Sequence, residues 1–191
     1  MKKVALITGA ARGIGLASAK IFQENGYQVL ILDRDESALN ASAAEFSEAY
    51  PMLFDVSDPQ AGDVIAKEIM DKFGRLDSLV NNAGVASFEP IEKINNETWH
   101  QVMATNLDGV FYLTQAVTPI LKQTKGAIVN ISSISGLRAS ALRVAYGTSK
   151  AAVMQLTKQQ AVELGEYGIR VNAVAPGPVR TKLAIAVHTQ E

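Results

Sequence analysis

Apolar residues in this 191-residue chain gather into six short runs, and the stretches between them carry apolar positions at helical spacing. The runs are "VALIT" (4–8), "QVLILD" (28–33), "PMLFDV" (51–56), "SLVNNAG" (78–84), "GAIVNISS" (126–133) and "IRVNAVA" (169–175). Most are apolar nearly throughout rather than alternating, the pattern of strands buried on both faces. The periodicity between them predicts helices from about Gly13 to Asn25, through "ESALNASAAEFSEA" (36–49), and from Asp58 to about Phe73. Two more follow, from about Glu97 to Lys122 and from near Tyr146 onward. Gly26 and Gly74 stand just past helix ends, where a left-handed cap favours glycine, and Pro59 suits a first helical turn. Strands alternating with helices predict an α/β fold: a doubly wound parallel sheet in three layers, with ligands at the strands' carboxyl ends. No repeat, linker or low-complexity segment divides the chain, so residues 1–191 are expected to form a single domain.

Composition removes several kinds of function. Eighteen basic against 19 acidic residues give a net charge of −1, so no basic field points to nucleic acid or to an anionic membrane. Without cysteine there is no disulfide, thiol chemistry or zinc–thiolate site. The two histidines, His100 and His188, are far apart in sequence, which argues against a histidine metal site or a Ser-His-Asp triad; no metal is expected. The N-terminal run "VALI" is too short for a signal peptide, and nothing approaches the ~20 apolar residues that span a bilayer. A soluble, cytoplasmic protein is expected.

The first strand and first helix are joined by "TGAARGIG" (Thr8 to Gly15). The glycines let the backbone turn tightly and approach a pyrophosphate, which the helix N-terminus favours electrostatically. This is the strand–turn–helix setting of a Rossmann-like dinucleotide site, with spacing Gly9-x-x-x-Gly13-x-Gly15 and with Arg12 and Ile14 in the turn. Asp33 closes the second strand, where a carboxylate can accept hydrogen bonds from the adenosine ribose. Arg12 and Arg34 could each pair with a 2′-phosphate, but Asp33 would oppose one at close range, so NAD is favoured over NADP.

In "RVAYGTSKAAVMQL", Tyr146 and Lys150 stand four residues apart on one helix face. Alone, the pair reads as a surface tyrosine above a solvated lysine. The other motifs change that reading. "TGAARGIG", Asp55-Val56, "NNAG" (81–84), "TNLDG" around Asn106, "NISSISG", "YGTSK" and "NAVAPGPVRT" run in one order from Val4 to about Thr181. In these motifs the chain resembles the short-chain dehydrogenase/reductase family, in its version of about 250 residues, near the upper end of single-domain size.

The resemblance implies roles. Asp55 and Val56 would contact the adenine ring, and Asn82, Ala83 and Gly84 would pass the adenosine ribose. Pro176, Gly177, Val179 and Thr181 would pack on the nicotinamide and hold its carboxamide. Asn106, Ser133, Tyr146 and Lys150 would form the catalytic set, with Tyr146 and Lys150 also touching the cofactor. Ser132 and Ser133 point to opposite sides of a strand; the family's serine lies 13 residues before its tyrosine, which selects Ser133. A free tyrosine, with a pKa of about 10, is too weak a base near neutral pH, and an ammonium one helical turn away would stabilise the phenolate. Lys150 would also bond the nicotinamide ribose, Ser133 would hold the substrate oxygen, and Asn106 would anchor a water leading protons from Lys150 to solvent.

The implied activity is hydride transfer between NAD(H) and a secondary alcohol or ketone, in a homodimer or homotetramer packed through the two long helices. Residues between serine and tyrosine, such as Ser135, Leu137, Ala139 and Arg143, are candidates for the substrate pocket. Arg143 reads first as an exposed arginine and only second as a contact for an anionic substrate. The chain ends ten residues after Thr181, so six strands are expected where the family has seven, without the last helix and strand. The alternative reading is therefore an NAD-binding protein of the same fold that is not catalytically competent as a truncated chain.

Overall fold

The computed structural model describes residues 1–179. Its strands are β1 (Val4–Thr8), β2 (Gln28–Asp33), β3 (Ala49–Leu53), β4 (Ser78–Asn81), β5 (Ala127–Ile131) and β6 (Arg170–Val174). Neighbours pair in parallel in the order β3-β2-β1-β4-β5-β6. Chain order reverses between β1 and β4, so the ligand crevice of a doubly wound sheet opens at their carboxyl ends. The helices are α1 (Gly13–Glu24), α2 (Glu36–Ala43), α3 (Ala61–Phe73), α4 (Asn96–Met103), α5 (Gly109–Thr124) and α6 (Val144–Gly165).

β1 shows why an apolar run becomes a buried strand. Its alternate side chains enter opposite cores. Val4 and Leu6 join Leu30, Leu32, Leu79 and Ile128 under α3 and α5, against Ile65, Ile69, Leu113 and Val117. Ala5 and Ile7 join Val29 and Ile31 on the other face, against Ala19 of α1 and Leu39 of α2. α3 stops at Gly74, whose φ of 67° supplies the left-handed cap. At the far end of the sheet, β6 is an edge among the described residues and is exposed apart from Val171.

Several boundaries differ from the sequence expectation. α3 begins at Ala61 rather than Asp58, so Pro59 lies in the turn before the helix and not in its first turn, and β3 and β4 end at Leu53 and Asn81, three residues early in each case. α2 ends at Ala43 rather than running through "AEFSEA", because the chain turns there to let Phe46 pack on the second core, and β3 then starts at Ala49, two residues early. Pro51 thus sits inside a strand, tolerated because β3 is an edge among the described residues and needs no second row of N–H donors. α6 starts at Val144, two residues before Tyr146. The expected helix from Glu97 to Lys122 is interrupted by a π-helical stretch, Ala104–Asp108, which contains Asn106.

A buried polar ladder fixes the sheet beneath the site. Asn81 of β4 and Asn130 of β5 are in register. Asn81 Nδ2 donates to Asn130 Oδ1 at 2.9 Å and to Thr114 Oγ1 of α5 at 3.1 Å. Asn130 Nδ2 donates to Thr157 Oγ1 at 2.9 Å and Gln160 Oε1 at 3.0 Å, both on α6. Satisfied networks of this kind are costly to break, so α5 and α6 are held in one position over β4 and β5.

Candidate active site

The glycine-rich turn is anchored from behind by β4. Thr8 Oγ1 accepts from the backbone N–H groups of Asn82 and Ala83 at 3.0 Å each, and Asn82 Nδ2 donates to the carbonyls of Thr8 and Gly9 at 2.9 and 3.1 Å. Gly9 has φ of 61°, and a Cβ there would approach the Ala83 Cα to 2.8 Å, so the position requires glycine. Gly15 is buried and does not line the crevice; a Cβ on it would strike the Gly9 carbonyl, so its role is to let α1 pack against the turn. A cavity of about 600 Å³ opens above. Gly9, Arg12, Gly13, Ile14, Asp33, Arg34, Asp55 and Val56 line it from the β1–β3 half of the sheet, and Asn82, Ala83 and Gly84 from the chain that follows β4.

Charges in this cavity are compensated. Asp33 Oδ2 accepts from the Ala11 N–H and Oδ1 from the Asp35 N–H, each at 3.1 Å, which holds the carboxylate at the end of β2. Arg12 pairs with Asp35, and Arg34 Nη1 lies 3.2 Å from Asp55 Oδ2. Burial works to raise the Asp55 pKa, but hydrogen bonds from Ser57 and the nearby Arg34 guanidinium outweigh it and hold the carboxyl below its ordinary value.

A second cavity, of about 440 Å³, adjoins the first and shares Ile14, Asn82 and Gly84 with it. Ser133, Tyr146 and Lys150 line it, as do Pro176, Gly177 and Val179, whose segment runs beside the serines through the Ile134 N–H to Pro176 carbonyl bond of 3.0 Å. Thr181 lies outside the described residues. Lys150 is only 4% exposed, and its Nζ donates to the Ile131 carbonyl at 2.8 Å, 6.0 Å from the Tyr146 ring centroid. Burial lowers its pKa to about 8. Its other N–H bonds have no partner among the described residues. Ser133 Oγ accepts from the Ser135 N–H at 3.1 Å, which leaves its own proton free to donate. Ser132 is committed elsewhere, donating to the Lys150 carbonyl at 2.7 Å.

Asn106 lies behind this cavity rather than in its wall, and it is fully buried. Its Oδ1 accepts from the Val85 N–H at 2.8 Å, and its Nδ2 donates to the Val85 carbonyl and to Ser149 Oγ, both at 2.9 Å. Ser149 Oγ donates in turn to the Tyr146 carbonyl at 2.7 Å. A Cβ on Gly84 would lie 3.2 Å from Asn106 Oδ1 and 3.4 Å from Lys150 Nζ, so both groups end beneath the same glycine. The sequence reading missed Ser149, although its place three residues after Tyr146 puts it on the same helix side. It also missed Phe88, whose ring is 6.3 Å from that of Tyr146, and Arg138. Of the proposed pocket residues, Ser135, Ala139 and Arg143 line the cavity; Leu137 is 64% exposed and does not.

The short chain dehydrogenase family profile matches residues 3–191. The chain belongs to that family. It is 39% identical over 186 residues to the 3-oxoacyl-(acyl-carrier-protein) reductase FabG of Thermotoga maritima, covering 95% of this chain and 76% of that protein. It is 41% identical over 180 residues to galactitol 2-dehydrogenase of Agrobacterium fabrum, covering 93% and 70%. The crystal structure of a 3-ketoacyl-(acyl-carrier-protein) reductase from Brucella melitensis complexed with NADH superposes with a TM-score of 0.92 at 33% identity, over 96% of this chain and 78% of that one. The family binds nicotinamide cofactors, and the paired cavities could hold one: the N-terminus of α1 borders the larger cavity, Asp33 is a carboxylate fixed in its wall, and Lys150 has donors to spare. Among the described residues no helix is long and apolar enough to cross a membrane, and no cluster of three or more metal-ligating side chains forms.

Proposed function

We propose that residues 1–191 form one dinucleotide-binding and catalytic domain that interconverts a secondary alcohol and its ketone with NAD(H). The observation that carries this reading is the meeting of Ser133, Tyr146 and Lys150 in one small cavity continuous with the dinucleotide groove. Bound there, NAD(H) would supply the hydride acceptor or donor. Ser133 donates a hydrogen bond to the substrate oxygen, and Tyr146 gives that oxygen a proton on reduction and removes one on oxidation. Lys150, protonated below pH about 8, keeps a positive charge beside the tyrosine and offers its remaining N–H bonds to the nicotinamide ribose. Asn106 has both N–H bonds committed and one Oδ1 lone pair left, enough to hold a water between Lys150 and solvent.

Two observations support NAD over NADP. Asp33 would face a 2′-phosphate, and Arg12 and Arg34 are already paired with carboxylates. The NADH complex of the Brucella relative is in keeping with this. Exposed apolar residues on the long helices, Phe111 at 45% and Val162 at 81%, support a homodimer or homotetramer, which sedimentation would test against a monomer at micromolar concentration. The activity is tested by offering polyols, hydroxy acids, hydroxyacyl thioesters and steroid alcohols with NAD and following NADH absorbance. Turnover of one class that is lost in Tyr146→Phe is expected. NADH binding without turnover of any class would leave a binding protein, not an enzyme.

A further inference from the structure

We infer that the substrate is an alcohol or ketone carrying an anionic group, a carboxylate or a phosphate, held by Arg143 with Arg138 at the rim. The inference rests on the oxidoreductase reading for the reacting carbon, but the anion is argued from the cavity's own charge. Among the described residues, three cationic side chains, Arg138, Arg143 and Lys150, line the smaller cavity, and no aspartate or glutamate does. The chain as a whole has a charge of −1, so this is not a general excess of base. Among the described residues neither arginine has an ion-pair partner, whereas Arg12, Arg34 and Arg75 each lie against a carboxylate.

Arg143 is also held in place. Its guanidinium stacks 4.9 Å from the centroid of the Phe88 ring, and that ring packs on Tyr146, so the charge is fixed beside the proposed acid. The residue is half-buried, and no carboxylate among the described residues pairs with it. The loop leading to it is strained. Leu142 adopts φ of 61°, a left-handed conformation that leucine disfavours, immediately before Arg143 enters α6. Strain at such a position is kept where a side chain must be aimed. A planar guanidinium donates to two oxygens of a carboxylate or phosphate at once. Phe88, Ala86 and Ala139 leave a short apolar wall for the carbon body between that anion and Tyr146. In reduction the carbonyl carbon gains the hydride of NADH and its oxygen a proton, giving the alcohol and NAD; the anion takes no part in the electron balance.

The test uses matched pairs: 3-oxobutanoate against its ethyl ester for the carboxylate, and dihydroxyacetone phosphate against dihydroxyacetone for the phosphate. Wild-type protein with NADH should favour the anion of at least one pair by about tenfold or more in kcat/KM, and the favoured pair identifies the anion. Arg143→Gln should abolish that ratio, mainly through KM, and Arg143→Lys should restore part of it. Calorimetric titration of the four compounds, with and without NADH, reads the same ratio from binding. Anion binding that Arg143→Gln removes, without turnover, would strike the redox reading and leave this inference standing. A neutral partner equal to the anion in both pairs, no binding of either anion at millimolar concentration, or a ratio unchanged in Arg143→Gln would overturn it.

Discussion

Two adjoining cavities treat charge in opposite ways. In the larger cavity Arg12 lies against Asp35 and Arg34 against Asp55, and Asp33 stands fixed by two backbone N–H groups. In the smaller cavity Arg138, Arg143 and Lys150 face the space with no carboxylate among the described lining residues. The first is thus suited to hydroxyl groups, since its cations are spoken for and its remaining feature is an acceptor. The second leaves a charge to be met by whatever enters. Exposed ion pairs are worth about 0–1 kcal/mol, so Arg12 and Arg34 could turn toward a phosphate at little cost. Asp33 therefore carries the distinction between the cavities more than the salt bridges do.

The sharpest way to separate the two is Tyr146→Phe. It should lower turnover by about a hundredfold or more, the usual scale for losing a general acid/base, while fluorescence titration shows NADH affinity nearly unchanged. Retained turnover would remove Tyr146 from the chemistry. Asp33→Ala should act on the other cavity alone, narrowing the preference for NADH over NADPH by about tenfold in parallel titrations, a single charge-assisted contact's worth. An unaltered ratio would mean that the arginines, not the carboxylate, set cofactor choice.

Lys150 permits a test that needs no substrate. Its pKa falls from an ordinary 10.5 to about 8 in the folded chain, because burial penalises the charged form. Below pH about 8 the lysine is protonated folded and unfolded, and the full penalty is present. As pH rises from about 8 towards 10.5 the folded chain releases the proton first, so this group's contribution to stability increases. Urea unfolding across that window should show the increase in wild type and not in Lys150→Met; parallel profiles would place the lysine's titration elsewhere. The smallest effect expected is that of Ser132→Ala. Losing its bond to the Lys150 carbonyl should cost about 1 kcal/mol of unfolding free energy with little change in turnover, whereas Ser133→Ala should impair turnover severely. The reverse result would mean that the wrong serine has been placed in the chemistry.

Strands such as "VALIT" and "QVLILD" were legible to the residue because burial on both faces leaves an unbroken apolar run, and no tertiary contact has to be known. The larger cavity was legible for a related reason: its glycines and Asp33 lie at the ends of those strands. The smaller cavity was less so. Phe88, Arg138 and Arg143 come from two loops about 50 residues apart, and nothing in local spacing says that they share a wall. The end of α2 and the start of β3 were misplaced because "AAEFSEA" has good helix formers, while the turn is decided by where Phe46 finds its core. The π-helical stretch had no local signal at all. It follows from the bonds of Asn106 to Val85 and Ser149, on two other parts of the chain.

That stretch has a consequence for how this region can change. Asn96 to Thr124 would be one rod, were it not for the wider turn at Ala104–Asp108. A π turn takes in one more residue than an α turn over about the same arc, so α5 keeps the phase that a regular helix one residue shorter would give it. Deleting one residue from Ala104–Asp108 would therefore leave Leu113 and Val117 against the sheet while Asn106 lost its place against Val85 and Ser149. A one-residue deletion in this segment would thus spare the core and displace the site, so the two can be changed separately here.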